Sequence, residues 1–365
     1  MIDLFRPYMS DRARANALDV LTPSPDGRLF IGEGERVAEF ERRFAAFVAA
    51  PRPVLALNSC TSAIDLALHL CGVGPGDEVI TTPMTCSATN THIVLRGAVP
   101  VWADVDPITG LIDPSDVARK VTADTAAIIA VDWAGRACDY AALRSISDSV
   151  PVIQDAAHSL GGAVGGDYVC WSFQAIKHLT TGDGGALLAP EWDYDRARLL
   201  RWYGLDRTQG ESFRCSQNIR EVGFKYHMND IAAAIGLGNL LDMPTILDRH
   251  RSNAELYHGL LAGTPGVTLP PHDPRASWWL YTVLTDDRDS LMAYLAARGV
   301  ASSPVHTRND KHAAFHYPRG PLPGVDAFAA RELAIPVGWW LSADDIRTVA
   351  GHVREWAMAQ RMAAV

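Results

Sequence analysis

Short apolar runs alternate with helix-like segments between residues 54 and 157. Each run has the length and composition of a buried strand, and the runs fall within 54–73, 74–83, 98–117, 126–135 and 150–157. Strands that alternate with helices predict a mostly parallel sheet with helices on both faces, which is an α/β fold. In sheets of this type the functional side chains gather at the carboxyl ends of the strands.

The pattern that precedes this region is different. Residues 1–34 are mixed in polarity and interrupted by proline and glycine, so we interpret them as an N-terminal arm. An amphipathic helix is predicted over 35–50. The prediction depends on apolar side chains that recur there at helical spacing: Val37, Phe40, Phe44 and Phe47.

A second helical stretch, 223–261, contains Pro244, and proline kinks or breaks a helix. We place a domain boundary at this proline. The prediction is a large domain over 1–244 and a smaller C-terminal α/β domain over 245–365. The smaller domain is expected to contain a strand at 278–285 and helices at 289–300 and 342–356.

The composition is that of an ordinary globular protein, with 48% hydrophobic and 21% charged residues among 365. The net charge is −9, from 33 Lys and Arg against 42 Asp and Glu, so we expect no nucleic-acid partner. No apolar run approaches the ~18 residues of a membrane span, and the first residues lack a signal-peptide core. The six cysteines are scattered without a C-x-x-C pair, which favours a cytoplasmic protein over a disulfide scaffold or a zinc site.

Two strand ends carry candidate chemistry. The run at 150–157 delivers Asp155, and the next run, 167–173, leads through Ser172 to Lys177, 22 residues after the aspartate. Pyridoxal phosphate chemistry needs such a pair, because a carboxylate keeps the pyridine nitrogen protonated and a lysine binds the aldehyde as a Schiff base. Taken singly, either residue is more often structural, the aspartate as a cap and the lysine as a solvated loop residue.

A possible phosphate site lies upstream of this pair. Ser59, Cys60 and Thr61 occupy the turn between a strand and a helix within 54–73. A helix start exposes backbone N–H groups that, together with the helix dipole, suit a phosphate. On its own, the same turn is a helix cap more often than a cofactor site.

Two segments of the sequence resemble segments of a known protein family. FQAIKHLTTGDGGALL, at 173–188, resembles the lysine segment of the DegT/DnrJ/EryC1/StrS aminotransferases of pyridoxal phosphate fold type I, and VIQDAAHSLGG, at 152–162, resembles their aspartate segment. The resemblance implies catalytic roles for Lys177 and Asp155, and a place for His158 near the ring hydroxyl. It also implies pyridoxal 5'-phosphate as the cofactor, with pyridoxamine phosphate as an intermediate.

The resemblance implies further cofactor contacts and two departures. Thr61 and Ser172 are expected at the phosphate, with Cys60 where relatives have glycine and Cys86 where they have an aromatic residue that stacks on the ring. Lys225 matches a family residue that reaches the phosphate of the neighbouring subunit. We therefore expect a homodimer with shared active sites.

The expected reaction moves an amino group from glutamate to a nucleotide-linked keto sugar, a 4-keto-6-deoxyhexose. His306 and Arg308, with the arginines of the polar segment 205–223 (Arg207, Arg214 and Arg220), are candidate cations for the substrate diphosphate. We predict no metal site, because the spacing around His306 offers no clear third ligand. Three alternatives stay open within the family: a keto-cyclitol aminotransferase, a sugar dehydratase, which would carry histidine instead of Lys177, and a non-catalytic regulator.

Overall fold

The structure is a computed structural model that describes residues 1–29, 31–207, 216–317 and 320–363. Its strands are β1 Val54–Leu57, β2 Glu78–Thr81, β3 Val99–Trp102, β4 Thr125–Val131, β5 Val152–Asp155, β6 Tyr168–Ser172, β7 Gly185–Leu188, β8 Tyr281–Leu284 and β9 Glu332–Ile335. Its α-helices are α1 Asp11–Leu21, α2 Glu35–Phe47, α3 Cys60–Leu70, α4 Ser87–Leu95, α5 Pro114–Lys120, α6 Tyr140–Arg144, α7 Glu191–Leu200, α8 Asp230–Leu240, α9 Met243–Leu261, α10 Arg288–Ala296, α11 Pro323–Arg331 and α12 Ala343–Ala363.

The main sheet has seven strands in the order β1-β7-β6-β5-β4-β2-β3. The pairs β5–β6, β4–β5, β2–β4 and β2–β3 are parallel, and only β7 runs antiparallel to its two neighbours. The predicted α/β fold with a mostly parallel sheet is confirmed. Because β5 lies in the middle of this order, the carboxyl end of β5 is flanked by strand ends on both sides.

Helices cover both faces of this sheet, and strand alternation explains how. Along β1, Leu55 and Leu57 belong to the hydrophobic core that includes α3. Val54 and Ala56, which point to the opposite face, belong to the core that includes α2 and α8. Each strand therefore contributes side chains to two cores.

The N-terminal arm contains a helix that the sequence analysis missed. Helix α1 begins after Ser10, whose hydroxyl accepts a hydrogen bond from the Ala13 N–H, and it packs on α8. The contact is close, because a Cβ on Gly238 would lie 2.4 Å from the Ala13 Cα. Ala13 is the single buried residue of α1, so the helix leaves almost no apolar period in the sequence.

A second sheet pairs β8 and β9 antiparallel, and its core is completed by side chains of α9, α10 and α12. The sequence pattern predicted β8, α10 and α12 but not α11 and β9. Pro244 lies in the first turn of α9, and α8 and α9 are bent by 59° at the break. The chain is interrupted where we expected, while the division into domains at this point stays a prediction.

Among the described residues, no single helix is both long enough and apolar enough to cross a membrane. The bent pair of α8 and α9 meets the length and composition only when the two helices are taken together.

Candidate active site

Strand register places the two predicted catalytic residues at one edge of the main sheet. Asp155 is the last residue of β5 and pairs with Cys170 in β6. Beyond β6 the chain turns through a loop in which the Lys177 N–H donates to the Gln174 carbonyl, 2.9 Å away. The loop is closed because the Phe173 N–H donates to the Gly184 carbonyl (2.8 Å) just before β7 begins.

One side of the site, which we call the carboxylate wall, surrounds Asp155 with donors. Thr89 on α4 donates its hydroxyl to Oδ2 at 2.8 Å, and the Ala157 N–H donates to Oδ1 at 3.0 Å. The Thr89 hydroxyl is itself 2.8 Å from the hydroxyl of Thr85. The Cys60 sulfur lies 3.9 Å from Oδ1. The carboxylate is thus fixed in orientation by groups from α4 and from its own loop.

Burial acts on both reactive groups. Desolvation raises the pKa of Asp155 above its ordinary value, while the Thr89 and Ala157 hydrogen bonds and the nearby Lys177 oppose the rise. Desolvation lowers the pKa of Lys177 to about 7, and Asp155 opposes that shift. A lysine with this pKa carries both amine and ammonium near neutral pH, as proton transfer in both directions requires.

The other side of the site, which we call the aromatic wall, faces Lys177 with rings. It begins with Trp279, whose ring centre lies 3.3 Å from the lysine Nζ. The His158 ring lies 4.1 Å from Trp279, and the His306 ring stacks on His158 at 5.5 Å and 14°. Trp133 meets both imidazoles edge-on at 5.8 and 5.7 Å. The four rings come from four separate segments of the chain.

The two imidazoles of this wall are neutral and incompletely bonded. Desolvation lowers the pKa of His158 well below its ordinary value and that of His306 to about 4, and Lys177 acts in the same direction. Within the described part of the chain, His158 Nδ1 and His306 Nε2 are buried without a hydrogen-bond partner. A buried polar atom without a partner is unusual, so both nitrogens are suited to a ligand.

The predicted phosphate turn has the required shape. Ser59 caps α3 by accepting the Ser62 N–H, so the first turn of the helix, which begins at Cys60, presents its N–H groups at the strand edge. A Cβ on Gly185 would lie 2.3 Å from the Ser59 carbonyl carbon and 2.4 Å from the Cys60 nitrogen. Only glycine lets β7 approach the helix start this closely.

The site has the features that pyridoxal phosphate requires. The carboxylate wall offers an acceptor for a ring N–H in Asp155, the helix start at Cys60 and Thr61 offers donors for a phosphate, and Lys177 offers an amine between them. His158 offers a buried nitrogen without a partner to a ring substituent. The residues present therefore fit the cofactor.

The remaining predicted cofactor residues lie at the rim. Ser172 ends β6, and its hydroxyl accepts the Gln174 N–H at 3.4 Å. Cys86 is exposed at the N-cap of α4, close enough to Lys177 to influence its charge. Lys225 is exposed, with its Nζ 3.3 Å from His227 Nε2 and 4.7 Å from the centre of the Trp202 ring.

The predicted substrate cations are placed differently from our expectation. Arg308 is buried and bonds both carboxylate oxygens of Asp310, at 2.7 and 2.8 Å, and it also pairs with Asp326. His306 is neutral, as described above. Neither side chain is therefore a spare cation in this structure. Arg214 lies outside the described residues.

Two residues of the site were not found from the sequence. Thr89 lies on α4, four residues after Thr85, which precedes the helix. This spacing of two hydroxyl groups is the feature of the sequence from which Thr89 could have been identified. Trp279 precedes β8 in a stretch that reads simply as an apolar strand, and nothing in that stretch indicates contact with a residue 102 positions earlier. Among the described residues no group of three or more His, Cys, Asp and Glu is arranged to bind a metal.

Comparison with known proteins bears on this geometry. The model of the DegT/DnrJ/EryC1/StrS aminotransferase family matches residues 13–354. The spore coat polysaccharide biosynthesis protein SpsC of Bacillus subtilis (strain 168) is 32% identical over 354 residues, covering 89% of this chain and 90% of SpsC.

Solved structures agree with the sequence relatives. AtS13 from Actinomadura melliaura is 38% identical, with a TM-score of 0.91, and the match covers 97% of this chain and 98% of AtS13. The sugar aminotransferase CalS13 from Micromonospora echinospora is 36% identical, with a TM-score of 0.90, covering 97% and 100%. The pyridoxal phosphate (PLP) form of Spr1654 from Streptococcus pneumoniae is 25% identical, with a TM-score of 0.88, and the match covers 98% of this chain and 99% of Spr1654.

Proposed function

This chain belongs to the DegT/DnrJ/EryC1/StrS aminotransferase family, and from that premise we propose that it aminates a nucleotide-linked keto sugar, with glutamate as donor, in amino-sugar biosynthesis. The observation that carries the proposal is that one site holds both the hydrogen-bonded Asp155 and Lys177, and burial lowers the pKa of this lysine to about 7 while Asp155 opposes the shift. We propose a 4-keto-6-deoxyhexose as the sugar. Support for a sugar as the acceptor comes from CalS13, a sugar aminotransferase, and from SpsC, a spore coat polysaccharide biosynthesis protein.

The enzyme is a pyridoxal phosphate-dependent aminotransferase. When bound, the cofactor supplies an electron-withdrawing ring that stabilises negative charge at the carbon that loses its proton. We assign Asp155 the task of accepting the ring N–H, which keeps the ring electron-poor. The Thr89 hydroxyl and the Ala157 N–H keep the carboxylate aimed and ionised.

Lys177 is assigned two tasks. Its amine binds the cofactor between turnovers, and once released it removes the proton from the α-carbon of the donor and delivers it where the new C–H bond forms. The same side chain then makes these proton transfers in the opposite direction when the amino group passes to the acceptor. A pKa of about 7 suits both directions, because neither the amine nor the ammonium is strongly favoured at neutral pH.

The cofactor phosphate is assigned to the start of α3 at Cys60 and Thr61, with Ser172 beside it. Lys225 is exposed, and its Nζ contacts His227 and two aromatic rings without forming an ion pair among the described residues. We propose that it reaches the phosphate site of a second copy, so that the active enzyme is a homodimer with shared active sites. A cytoplasmic location is proposed from the cysteines, since the five described ones are free thiols.

A keto-cyclitol is the second candidate acceptor, and the pairing of Arg308 favours it. A nucleotide sugar brings a diphosphate, whereas the guanidinium that we expected to bind it is already bonded to Asp310 and Asp326. A neutral cyclitol makes no such demand. The aromatic wall, with two neutral imidazoles, suits the hydroxyl groups of either ring.

The deciding experiment is a single turnover. Excess glutamate first converts the bound cofactor to its aminated form, and small molecules are then removed. The protein is next mixed with a dTDP- or GDP-linked 4-keto-6-deoxyhexose or with a keto-inositol. Return of the original visible spectrum with the nucleotide sugar, and formation of an aminated sugar by mass spectrometry, is the expected result. Return only with the keto-inositol would replace the proposed substrate, and no spectral change with any amino donor would remove the proposed reaction.

A further inference from the structure

We propose that Trp279 is the resting site of the Lys177 ammonium whenever the lysine is not joined to the cofactor, and that the indole thereby sets the charge and position of the catalytic amine. The inference rests on the proposed role of Lys177. It concerns a positioning residue, since Trp279 acts through the lysine. The observation behind it is the 3.3 Å distance from Nζ to the indole ring centre.

Trp279 touches the lysine segment at two points. Its Nε1–H donates to the carbonyl of Ile176, 2.9 Å away, and Ile176 is the residue immediately before Lys177. The ring of the same indole contacts the lysine Nζ. One side chain therefore fixes both the backbone that carries the lysine and the charged end of the lysine. A leucine or a phenylalanine at 279 would keep at most one of these contacts.

The indole is itself held rigidly. Phe5 stacks on it, with ring centres 5.2 Å apart and planes 24° apart. The residues before it are tied to the main sheet, because the Ser277 N–H donates to the Gly135 carbonyl at 3.0 Å and His178 Nε2 lies 2.9 Å from the Ser277 carbonyl. Trp279 is 5% exposed. A cation on this ring is thus largely removed from water, where a cation–π contact is strongest.

The charged and titratable groups around Lys177 do not replace this contact. Asp155 favours the ammonium, and burial keeps the thiols of Cys60 and Cys170 protonated by raising their pKa values. Cys86 lies at the exposed rim. Lys177 also lowers the pKa values of three neighbouring imidazoles: His158, His178 and His306. Burial lowers the pKa of each, so all three are neutral. Among the buried groups that the structure describes, Asp155 and the Trp279 ring favour a positive charge here.

The sign of the effect follows from this arrangement. The ring attracts the ammonium and not the neutral amine, so it raises the pKa of Lys177 against the lowering by burial. Loss of the ring should lower that pKa further. A cation–π contact in a desolvated site corresponds to a shift of roughly 0.5 to 1.5 pKa units. Water that merely entered a gap left by the indole would act in the opposite direction and raise the pKa.

The test measures the lysine directly in the full-length protein after the cofactor has been removed. Brief labelling with acetic anhydride between pH 5 and 10, followed by mass spectrometry of the Lys177 peptide, gives the pKa of its ammonium. Trp279→Phe and Trp279→Leu are compared with the wild type and with Trp192→Leu, a change at an exposed tryptophan on α7. Site-specific fluorinated tryptophans at 279 weaken the ring quadrupole without changing its shape.

The expected result is a fall in the pKa of Lys177 in the Leu variant, a smaller fall in the Phe variant, and a stepwise fall with each added fluorine. Trp192→Leu should leave the value unchanged. A pKa that is constant along the fluorinated series would overturn the proposal, and so would a rise in the Leu variant, which would mean that the indole only excludes water. The fluorinated proteins keep the native shape, so misfolding of a truncated variant leaves the proposal testable.

The two proposals fail in different ways. If borohydride does not link pyridoxal phosphate to the Lys177 peptide in the wild type, the proposed function is wrong irrespective of Trp279. If the link forms in every variant while the pKa of Lys177 stays the same along the fluorinated series, only the proposed role of Trp279 is wrong.

Discussion

The two walls that meet at Lys177 are built on different principles. In the carboxylate wall, both oxygens of Asp155 have donors at 2.8 and 3.0 Å, and those donors come from α4 and from the loop that follows β5. In the aromatic wall, two buried ring nitrogens, His158 Nδ1 and His306 Nε2, have no partner among the described residues. One wall is complete as a protein structure, and the other needs a further molecule to complete it.

This difference between the two walls indicates which contacts should be the same for every substrate and which should depend on the substrate. A carboxylate that must bind the same ring nitrogen in every cycle gains from fixed partners, because its orientation then does not depend on the substrate. Neutral imidazoles with a free nitrogen accept or donate a hydrogen bond and so suit hydroxyl groups. Substitutions in the carboxylate wall should therefore damage every reaction, whereas those in the aromatic wall should depend on the substrate.

The largest effect is expected from the residue between the walls. Lys177→Ala removes the amine that binds the cofactor and moves the proton, so turnover should fall by at least about 10³-fold. Steady-state assays and borohydride trapping measure the loss. Lys311→Ala, at an exposed lysine in a 3₁₀ turn, is the matched control. Activity within about tenfold of the wild type would exclude Lys177 as the catalytic amine.

Asp155→Asn should come next. The variant keeps the shape of the side chain but loses the charge that holds a proton on the ring nitrogen, so the chemical step should slow by on the order of 10²–10⁴-fold. Cofactor content should fall much less, because the phosphate contacts remain. Asp139→Asn, at the exposed cap of α6, keeps a good capping residue and serves as control. Stopped-flow half-reactions separate binding from chemistry.

Thr89→Val tests the support of the carboxylate. Valine replaces the hydroxyl that donates to Oδ2, and losing a hydrogen bond to a charged group costs about 1.5–3 kcal/mol. The ionised form of Asp155 is the one that loses a partner, so its pKa should rise and the acid limb of the pH–activity profile should move to higher pH. Thr91→Val, on an exposed part of the same helix, should leave the profile in place. An unshifted acid limb would assign Thr89 to packing alone.

The smallest effect is expected in the aromatic wall. His158→Ala removes a neutral ring that orients its neighbours, so we expect a change of several-fold in rate and a shift in how the visible spectrum of the bound cofactor depends on pH. The size should vary with the acceptor offered. An unchanged spectrum across pH would indicate that His158 is only a packed loop residue. An effect as large as that of Asp155→Asn would contradict the contrast between the walls.

The sequence predicted the carboxylate wall better than the aromatic wall, and the reason is physical. Asp155 follows an apolar run directly, and a buried strand delivers its last side chain to the sheet edge irrespective of distant contacts. Lys177 follows the neighbouring strand by five residues. Both positions depend on local pattern and strand order. The family resemblance then supplied the cofactor.

The position of Trp279 depends on neither local sequence pattern nor strand order. Trp279 reaches Lys177 because Ser277, just before β8, is hydrogen-bonded to Gly135 and His178, which lie 142 and 99 residues earlier in the sequence. A local hydrophobic pattern cannot predict contacts over such distances. Arg308, which we predicted as a substrate cation, bonds Asp310 two residues away and also a residue that is distant in the sequence. Its partner Asp326 lies in α11, a helix that the sequence analysis did not find.

The stacking of Phe5 on Trp279 also bears on the order in which the protein is assembled during synthesis. Ile2 bridges Val300, and the Trp340 Nε1–H donates to the Asp3 carbonyl at 3.1 Å, so residues 2–5 have their native neighbours in the last third of the chain. The ribosome delivers those neighbours some three hundred residues later. The main sheet can therefore form while the contact between Phe5 and Trp279 is still missing, and we expect full activity only after the first residues have reached the last third of the chain.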